Sequence, residues 1–140
     1  MLIGIGNDLL AIHRMKATYE RTDGRIAHRI LGPEELVVFE SRLARNSSRG
    51  MAYLSTRFAA KEAFSKAIGL GMRMPMYWRG VEILNHLSGE PYLKYHEPLL
   101  SWMQKKAWSG KVTLTDEQEM VSACVIVTQI GNGLNELSGL

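Results

Sequence analysis

The stretch that most constrains this chain is R-F-A-A-K-E-A-F-S-K-A, from Arg57 to Ala67. It lies within a longer helical pattern over residues 51–68, in which Leu54, Phe58, Ala59, Ala63, Phe64 and Ala67 recur at the spacing of one buried stripe. That pattern predicts the longest helix of the fold. Ala59, Ala60 and Ala63 are small enough to let another element pack closely, and Gly69-Leu70-Gly71 ends the helix. Two charged pairs, Glu62 with Lys66 and Arg57 with Lys61, each stand four residues apart and each share a helix face.

The flanking sequence reads as strand, helices, then strands with one more helix, an α+β order. Residues 2–6 are apolar and broken by two glycines, which predicts a first strand with close backbone approach. Helical spacing follows over residues 10–19. Gly32-Pro33-Glu34-Glu35 opens a helix to about residue 43, with proline at the first position and acids in the first turn. Residues 46–50 read as a loop. Strands are expected over 81–84, 92–95, 111–115 and 121–128, with a turn at 88–91 and a short helix over 98–108. Residues 1–129 are expected to form one domain, followed by a flexible Gly-rich tail over 130–140.

Composition narrows the class. The chain has 140 residues, 46% apolar and 22% charged, which suits one globular domain. No apolar run reaches the roughly 18 residues of a membrane span, and residues 1–8 carry no basic region of a leader. A single cysteine, Cys124, allows no internal disulfide and points to the reducing cytoplasm. Its apolar surroundings predict a buried, inert thiol. Through Arg73 there are twelve Lys/Arg against seven Asp/Glu, and after it five against seven. The basic half suits an acidic partner, a nucleotide or a nucleic acid, or is simply a solvated surface.

Three groups of residues can carry chemistry. Asp8 in G-I-G-N-D projects into a cleft or, on local evidence alone, caps the helix near residue 10. Glu62 with Lys66 is surface decoration unless a second acid joins it. With Asp8, two carboxylates plus phosphate oxygens make a magnesium site. Arg14, Arg21, Arg25 and Arg29 offer guanidinium forks for carboxylates or phosphates, or are solvated charge. The four histidines show no metal-ligand spacing, so no zinc is expected.

G-I-G-N-D-L-L-A-I-H-R near the start, R-F-A-A-K-E-A-F-S-K-A-I-G-L-G in the middle, S-G-E-P-Y-L later and V-T-L-T-D-E near the end resemble the holo-acyl-carrier-protein synthase family. The resemblance runs from Met1 to about Thr128. It implies a twisted antiparallel sheet packed on a long helix, and homotrimers with active sites between subunits. It implies magnesium held by Asp8 and Glu62, with Glu62 and Lys66 as catalytic groups. Coenzyme A, the donor, is expected near Arg57, Lys61, Lys66, Gly69, Gly71, Gly89 and Pro91. Arg14, Arg25 and Arg29 match positions that dock an acidic acyl carrier protein. The implied reaction moves phosphopantetheine onto a carrier serine and releases adenosine 3′,5′-bisphosphate. Three positions depart from the family's pattern: Ala11 replaces an acid, Glu90 replaces a lysine, and Asp116 stands where many members have a histidine. Ala11 and Glu90 leave room for a related transferase that modifies carrier domains of a larger synthase. A non-enzymatic nucleic-acid-binding domain is the remaining rival. No binding motif supports it, and the aromatics do not interleave with the basic residues.

Overall fold

In chain order the elements are β1 (Leu2–Ala11), α1 (Ile12–Arg21), α2 (Arg25–Ile30), α3 (Pro33–Arg45), α4 (Ser47–Ala67), β2 (Val81–Asn85), β3 (Pro91–Tyr95), α5 (Leu99–Lys106), β4 (Trp108–Asp116) and β5 (Met120–Gln129). They come from a computed structural model that describes residues 1–131. The expected tail falls outside the described residues from 132 onward. Strands β1, β5 and β4 form an antiparallel sheet in that order, and β2 pairs with β3 as a separate antiparallel hairpin. The α+β expectation therefore holds. Among the described residues no helix is long and apolar enough to cross a membrane.

Helix α4 is the axis of the molecule. It begins four residues earlier than the sequence pattern suggests, because the Asn46 side chain accepts a hydrogen bond from the Arg49 amide and caps it. Residues 47–50, expected in a loop, are its first turn. The helix buries far more than one stripe: Leu54, Ala59, Ala60, Ala63 and Phe64 are fully buried, and so is Lys61. Sheet residues Val121, Ala123, Val125 and Val127 cover one side of α4. They alternate along β5, as a half-buried strand requires. Cys124 falls between them, so it is half-buried on the opposite face rather than in the core. A second apolar cluster, including Met15, Ala27, Ile30, Leu31, Phe39 and Leu54, joins α1, α2 and α3 to the other side.

Strand β1 runs on to Ala11, five residues beyond the expected break, and Asp8 pairs with Ala123 of β5 inside it. Asp8 is therefore a strand residue and caps no helix. Its position follows from Gly4 and Gly6. A Cβ at Gly6 would sit 2.9 Å from both the carbonyl carbon of Ala63 and the amide nitrogen of Ala67, and one at Gly4 would meet the carbonyl of Ala67. Only glycine lets the strand backbone lie on the helix backbone this closely. Strand side chains alternate between faces, so Gly4, Gly6 and Asp8 all face α4. The step that puts Gly4 over Ala67 and Gly6 over Ala63 brings Asp8 to the level of Glu62.

Candidate active site

Asp8, Glu62 and Arg14 line one cleft of about 360 Å³ with Leu9, Leu10, Met15, Thr18, Ile26 and Phe58. Lys66, one helical turn beyond Glu62, reaches back to it. Its Nζ donates to the Asn7 carbonyl at 3.1 Å and lies 3.3 Å from Asp8 Oδ1. The Asp8 side chain is 20% exposed and that of Lys66 53%, so the pair opens toward solvent. Burial pushes the Glu62 carboxyl above the usual glutamate range, the charge of Asp8 pushes it further, and Lys66 pulls it back. Two carboxylates that repel each other in a half-buried cleft, with one cation only partly compensating, suit a divalent cation. Among the described residues no three His, Cys, Asp or Glu side chains cluster as metal ligands. The donor set is thus two hard oxygen ligands with room for phosphate and water. It fits magnesium better than a dedicated all-protein cage.

The arginines expected on a docking surface divide into two positions. Arg14 is on α1 at the cleft itself. Arg25 and Arg29 are exposed on α2, whose Ile26 forms part of the cleft wall. Gly69 and Gly71 follow α4 with φ of 82° and 62°. Gly89, with φ of 96°, lies in the turn before Pro91 opens β3. Glu90 in the same turn is exposed, with Lys111 Nζ 3.9 Å away.

Two expected coenzyme A contacts are placed elsewhere. Lys61 is fully buried and its ammonium donates to Glu35 Oε1 at 2.7 Å and to the Ile30 carbonyl at 2.6 Å. It has no free donor surface for a phosphate, which corrects the expectation drawn for it. Arg57 is also buried, and its guanidinium donates to the Ile83 carbonyl, Thr56 Oγ1 and Asn85 Oδ1. It stacks 4.0 Å from the centre of the Tyr53 ring and lines a second cleft, of about 330 Å³, with Arg42, Arg49, Tyr53, Thr56 and Asp116. Arg57 thus remains in a cationic cleft, but not the one that holds Asp8 and Glu62.

Sequence reasoning missed Tyr53, Arg42 and Arg49 in that second cleft. The Tyr53 hydroxyl is buried with no hydrogen-bond partner among the described residues, and burial raises its pKa to about 12. A cleft lined by Arg42, Arg49 and Arg57 is suited to an anionic ligand. Tyr53 precedes Arg57 by one turn of α4, and that spacing was the available signal. Glu35, expected only as a first-turn acid of α3, pairs with Lys61 of α4, and Glu82, which the sequence did not single out, accepts from the Glu34 and Glu35 amides and meets His96.

The sequence and the fold are similar to those of known proteins. Residues 4–124 match the model of the 4′-phosphopantetheinyl transferase superfamily. The chain is 59% identical over 136 residues to the holo-[acyl-carrier-protein] synthase of Polynucleobacter necessarius subsp. necessarius, covering 97% of this chain and 100% of that protein. The crystal structure of the Neisseria meningitidis holo-[acyl-carrier-protein] synthase superposes with a TM-score of 0.85 at 32% identity, over 92% of this chain and 100% of that one. A holo-(acyl-carrier-protein) synthase from Bacillus anthracis in complex with coenzyme A (3′,5′-ADP) gives a TM-score of 0.77 at 26% identity, over 92% and 98%.

Proposed function

The chain belongs to the 4′-phosphopantetheinyl transferase superfamily, and from that premise we propose that it transfers 4′-phosphopantetheine from coenzyme A to a serine of apo acyl carrier protein. The products are the holo-carrier used in fatty acid biosynthesis and adenosine 3′,5′-bisphosphate. One observation carries the assignment of roles: Asp8, Glu62 and Lys66, from β1 and α4, converge at one cleft. Residues 1–129 are the transferase unit.

Asp8 and Glu62 would hold magnesium. When bound, it offsets the negative charge that develops on the leaving phosphate oxygens. Lys66 presents its ammonium beside Asp8 on the open side of the cleft, where it can hold a phosphate oxygen in line for attack. The carrier serine Oγ attacks the β-phosphorus of coenzyme A. Its O–P bond forms as the bond from phosphorus to the bridging pyrophosphate oxygen breaks, and that electron pair leaves with adenosine 3′,5′-bisphosphate. The serine proton passes to a Glu62 carboxylate oxygen. Gly69, Gly71, Gly89 and Pro91 border the nucleotide. Arg14, Arg25 and Arg29 dock the acidic carrier, an electrostatic contact that weakens with salt.

The active unit in this reading is a homotrimer. Ile5 and Ile126 pair across β1 and β5, and with Leu9 they leave an apolar stripe on the outer face of the sheet, 59%, 44% and 66% exposed. Such a stripe suits burial between copies. The cationic Arg57 cleft and the acidic Asp8/Glu62 cleft are separate on one chain, which suits a site completed by a neighbouring copy. A cytoplasmic location fits a chain whose one cysteine is free.

The test is intact-mass analysis of apo acyl carrier protein incubated with this protein, coenzyme A and magnesium. The expected result is a mass gain of one phosphopantetheine, abolished by EDTA and by Asp8→Ala. A gain that survives Asp8→Ala would remove the proposed role of the acid. No gain on free carrier, with modification of excised carrier domains instead, would redirect the assignment to the related transferase.

A further inference from the structure

The connection between α2 and α3 is held at three consecutive residues by the side chains of Lys61, Arg79 and Glu35. The Ile30 carbonyl accepts from Lys61 Nζ at 2.6 Å. The Leu31 carbonyl accepts from Arg79 Nε at 3.0 Å. The Gly32 amide donates to Glu35 Oε1 at 2.9 Å. Glu35 Oε1 is also the partner of Lys61, and Glu35 Oε2 accepts from the Ile83 amide at 2.8 Å. One carboxylate therefore ties α3, α4, β2 and the end of α2 to a single point, and both members of the ion pair are completely buried.

The placement of this network matters because α2 has only six residues. So short a helix has almost no stability of its own, and tertiary contacts set its position. It carries Arg25 and Arg29 on its exposed side and contributes Ile26 to the wall of the Asp8/Glu62 cleft. Lys61 is the residue before Glu62 on α4. The same helical turn that presents the site carboxylate thus anchors the C-terminus of the helix that bears the docking arginines.

We infer that the buried Lys61–Glu35 pair is a positioning device for carrier docking, holding α2 with Arg25 and Arg29 in register with Glu62. This rests on the docking role proposed above for those arginines. Lys61 and Glu35 touch neither substrate; they act through α2. A buried ion pair adds little net stability compared with neutral groups of similar shape, so its charge can be removed while the fold is kept.

The experiment compares the wild-type chain, the double variant Glu35→Gln with Lys61→Met, the double variant Arg25→Ala with Arg29→Ala, and all four changes together. KM for apo carrier and KM for coenzyme A are measured separately. Binding of labelled apo carrier without magnesium is followed by fluorescence anisotropy, and folding is checked by thermal melting. The expected result for the Lys61–Glu35 variant is a rise of about tenfold in carrier KM and in the anisotropy Kd, with coenzyme A KM changed by less than about twofold. In the arginine-deficient background the same pair of changes adds nothing further. An unchanged carrier KM, an equal rise in both KM values, or full additivity would each overturn the inference. If Arg25→Ala with Arg29→Ala is itself silent, the docking assignment fails instead, and that outcome is read from a different arm. Should the Lys61–Glu35 variant not fold, Arg79→Met at the exposed tether to Leu31 replaces it. The same split between the two KM values is then expected at smaller amplitude, and no split would overturn the inference.

Discussion

Adding one methyl group at Gly6 would separate the two halves of the site. A Cβ built there lies 1.9 Å from the Ala63 carbonyl oxygen, whereas real Cβ contacts essentially never fall below 3.0 Å. Strand β1 and helix α4 must therefore part by about 1 Å, and the obstacle is backbone, which cannot rotate aside. Overpacking of this kind costs typically about 1–3 kcal/mol, and a backbone-to-backbone clash belongs at the upper end. For a domain of this size about 3 kcal/mol lowers Tm by about 10 °C. Asp8 rides on the same face of β1 two residues on, so it moves away from Glu62 by a similar distance. A displacement of about 1 Å in a catalytic constellation costs about a hundredfold in rate. Gly6→Ala should therefore melt early and, at temperatures where it is fully folded, still transfer phosphopantetheine about a hundredfold more slowly, with magnesium bound more weakly and half-maximal activity reached only at a higher magnesium concentration. Ala63→Gly should not rescue it, because the clash is with the carbonyl and not the methyl. Leu87→Ala, in an exposed turn, is the control and should change neither quantity. Wild-type melting and wild-type kcat/KM in Gly6→Ala would refute the account of how β1 sits on α4.

Three further outcomes follow from the same geometry. Because burial and Asp8 raise Glu62 above the ordinary carboxylate range, the acidic limb of kcat/KM should lie above the usual glutamate value and move to lower pH as magnesium rises, since metal and proton compete for the same oxygens; a limb insensitive to magnesium would count against Glu62 as a ligand. Burial raises Glu82, but hydrogen bonds from the Glu35 amide, from His96 and from the Glu34 amide outweigh it and hold the carboxyl below its usual range. Its contribution to stability is therefore present above the ordinary carboxylate pKa and lost as pH falls through the depressed value; urea melts across that window should show a shallower acid slope in Glu82→Gln, and an unchanged slope would contradict the assignment. Ile126→Lys, on the outer sheet face, should shift the protein to monomers in analytical ultracentrifugation and reduce transfer, whereas an unchanged assembly would argue against that face as the contact between copies.

Much of this molecule was legible in the sequence, and the failures share a cause. The long helix, the β2–β3 turn at Gly89 and the Pro33 helix start all follow from local signals that burial reinforces. The pairing of Asp8 with Glu62 followed from the family resemblance, and the structure supplies its reason in Gly4 and Gly6. Asp8 itself looked like a helix cap, because an acid before an apolar run is a local cue; the pairing of β1 with β5 through Ala11 overrides it. The family resemblance puts Lys61 and Arg57 against coenzyme A phosphates, and their four-residue spacing puts them on one helix face. Whether such charges are buried depends on partners distant in sequence, Glu35 for Lys61 and the Ile83 carbonyl for Arg57, and spacing along one helix carries no trace of them. Glu35 was read as favouring the helix dipole. It lies in the first turn of α3 as expected, but its main partners are the ammonium and amides of other elements.

The burial of α4 on nearly every side has a consequence for how the site fails. Amide exchange in such a helix requires separation of the sheet from the helical layer, so its slowest protons should exchange at the free energy of global unfolding rather than by local fraying. Glu62 and Lys66 are anchored to that backbone, and Asp8 lies in the strand pressed against it. The two carboxylates are thus not mounted on a segment that breathes. Thermal inactivation should superimpose on loss of the native fold, and the motions that admit carrier and release product fall to the surface arginines and turns around a rigid pair of acids.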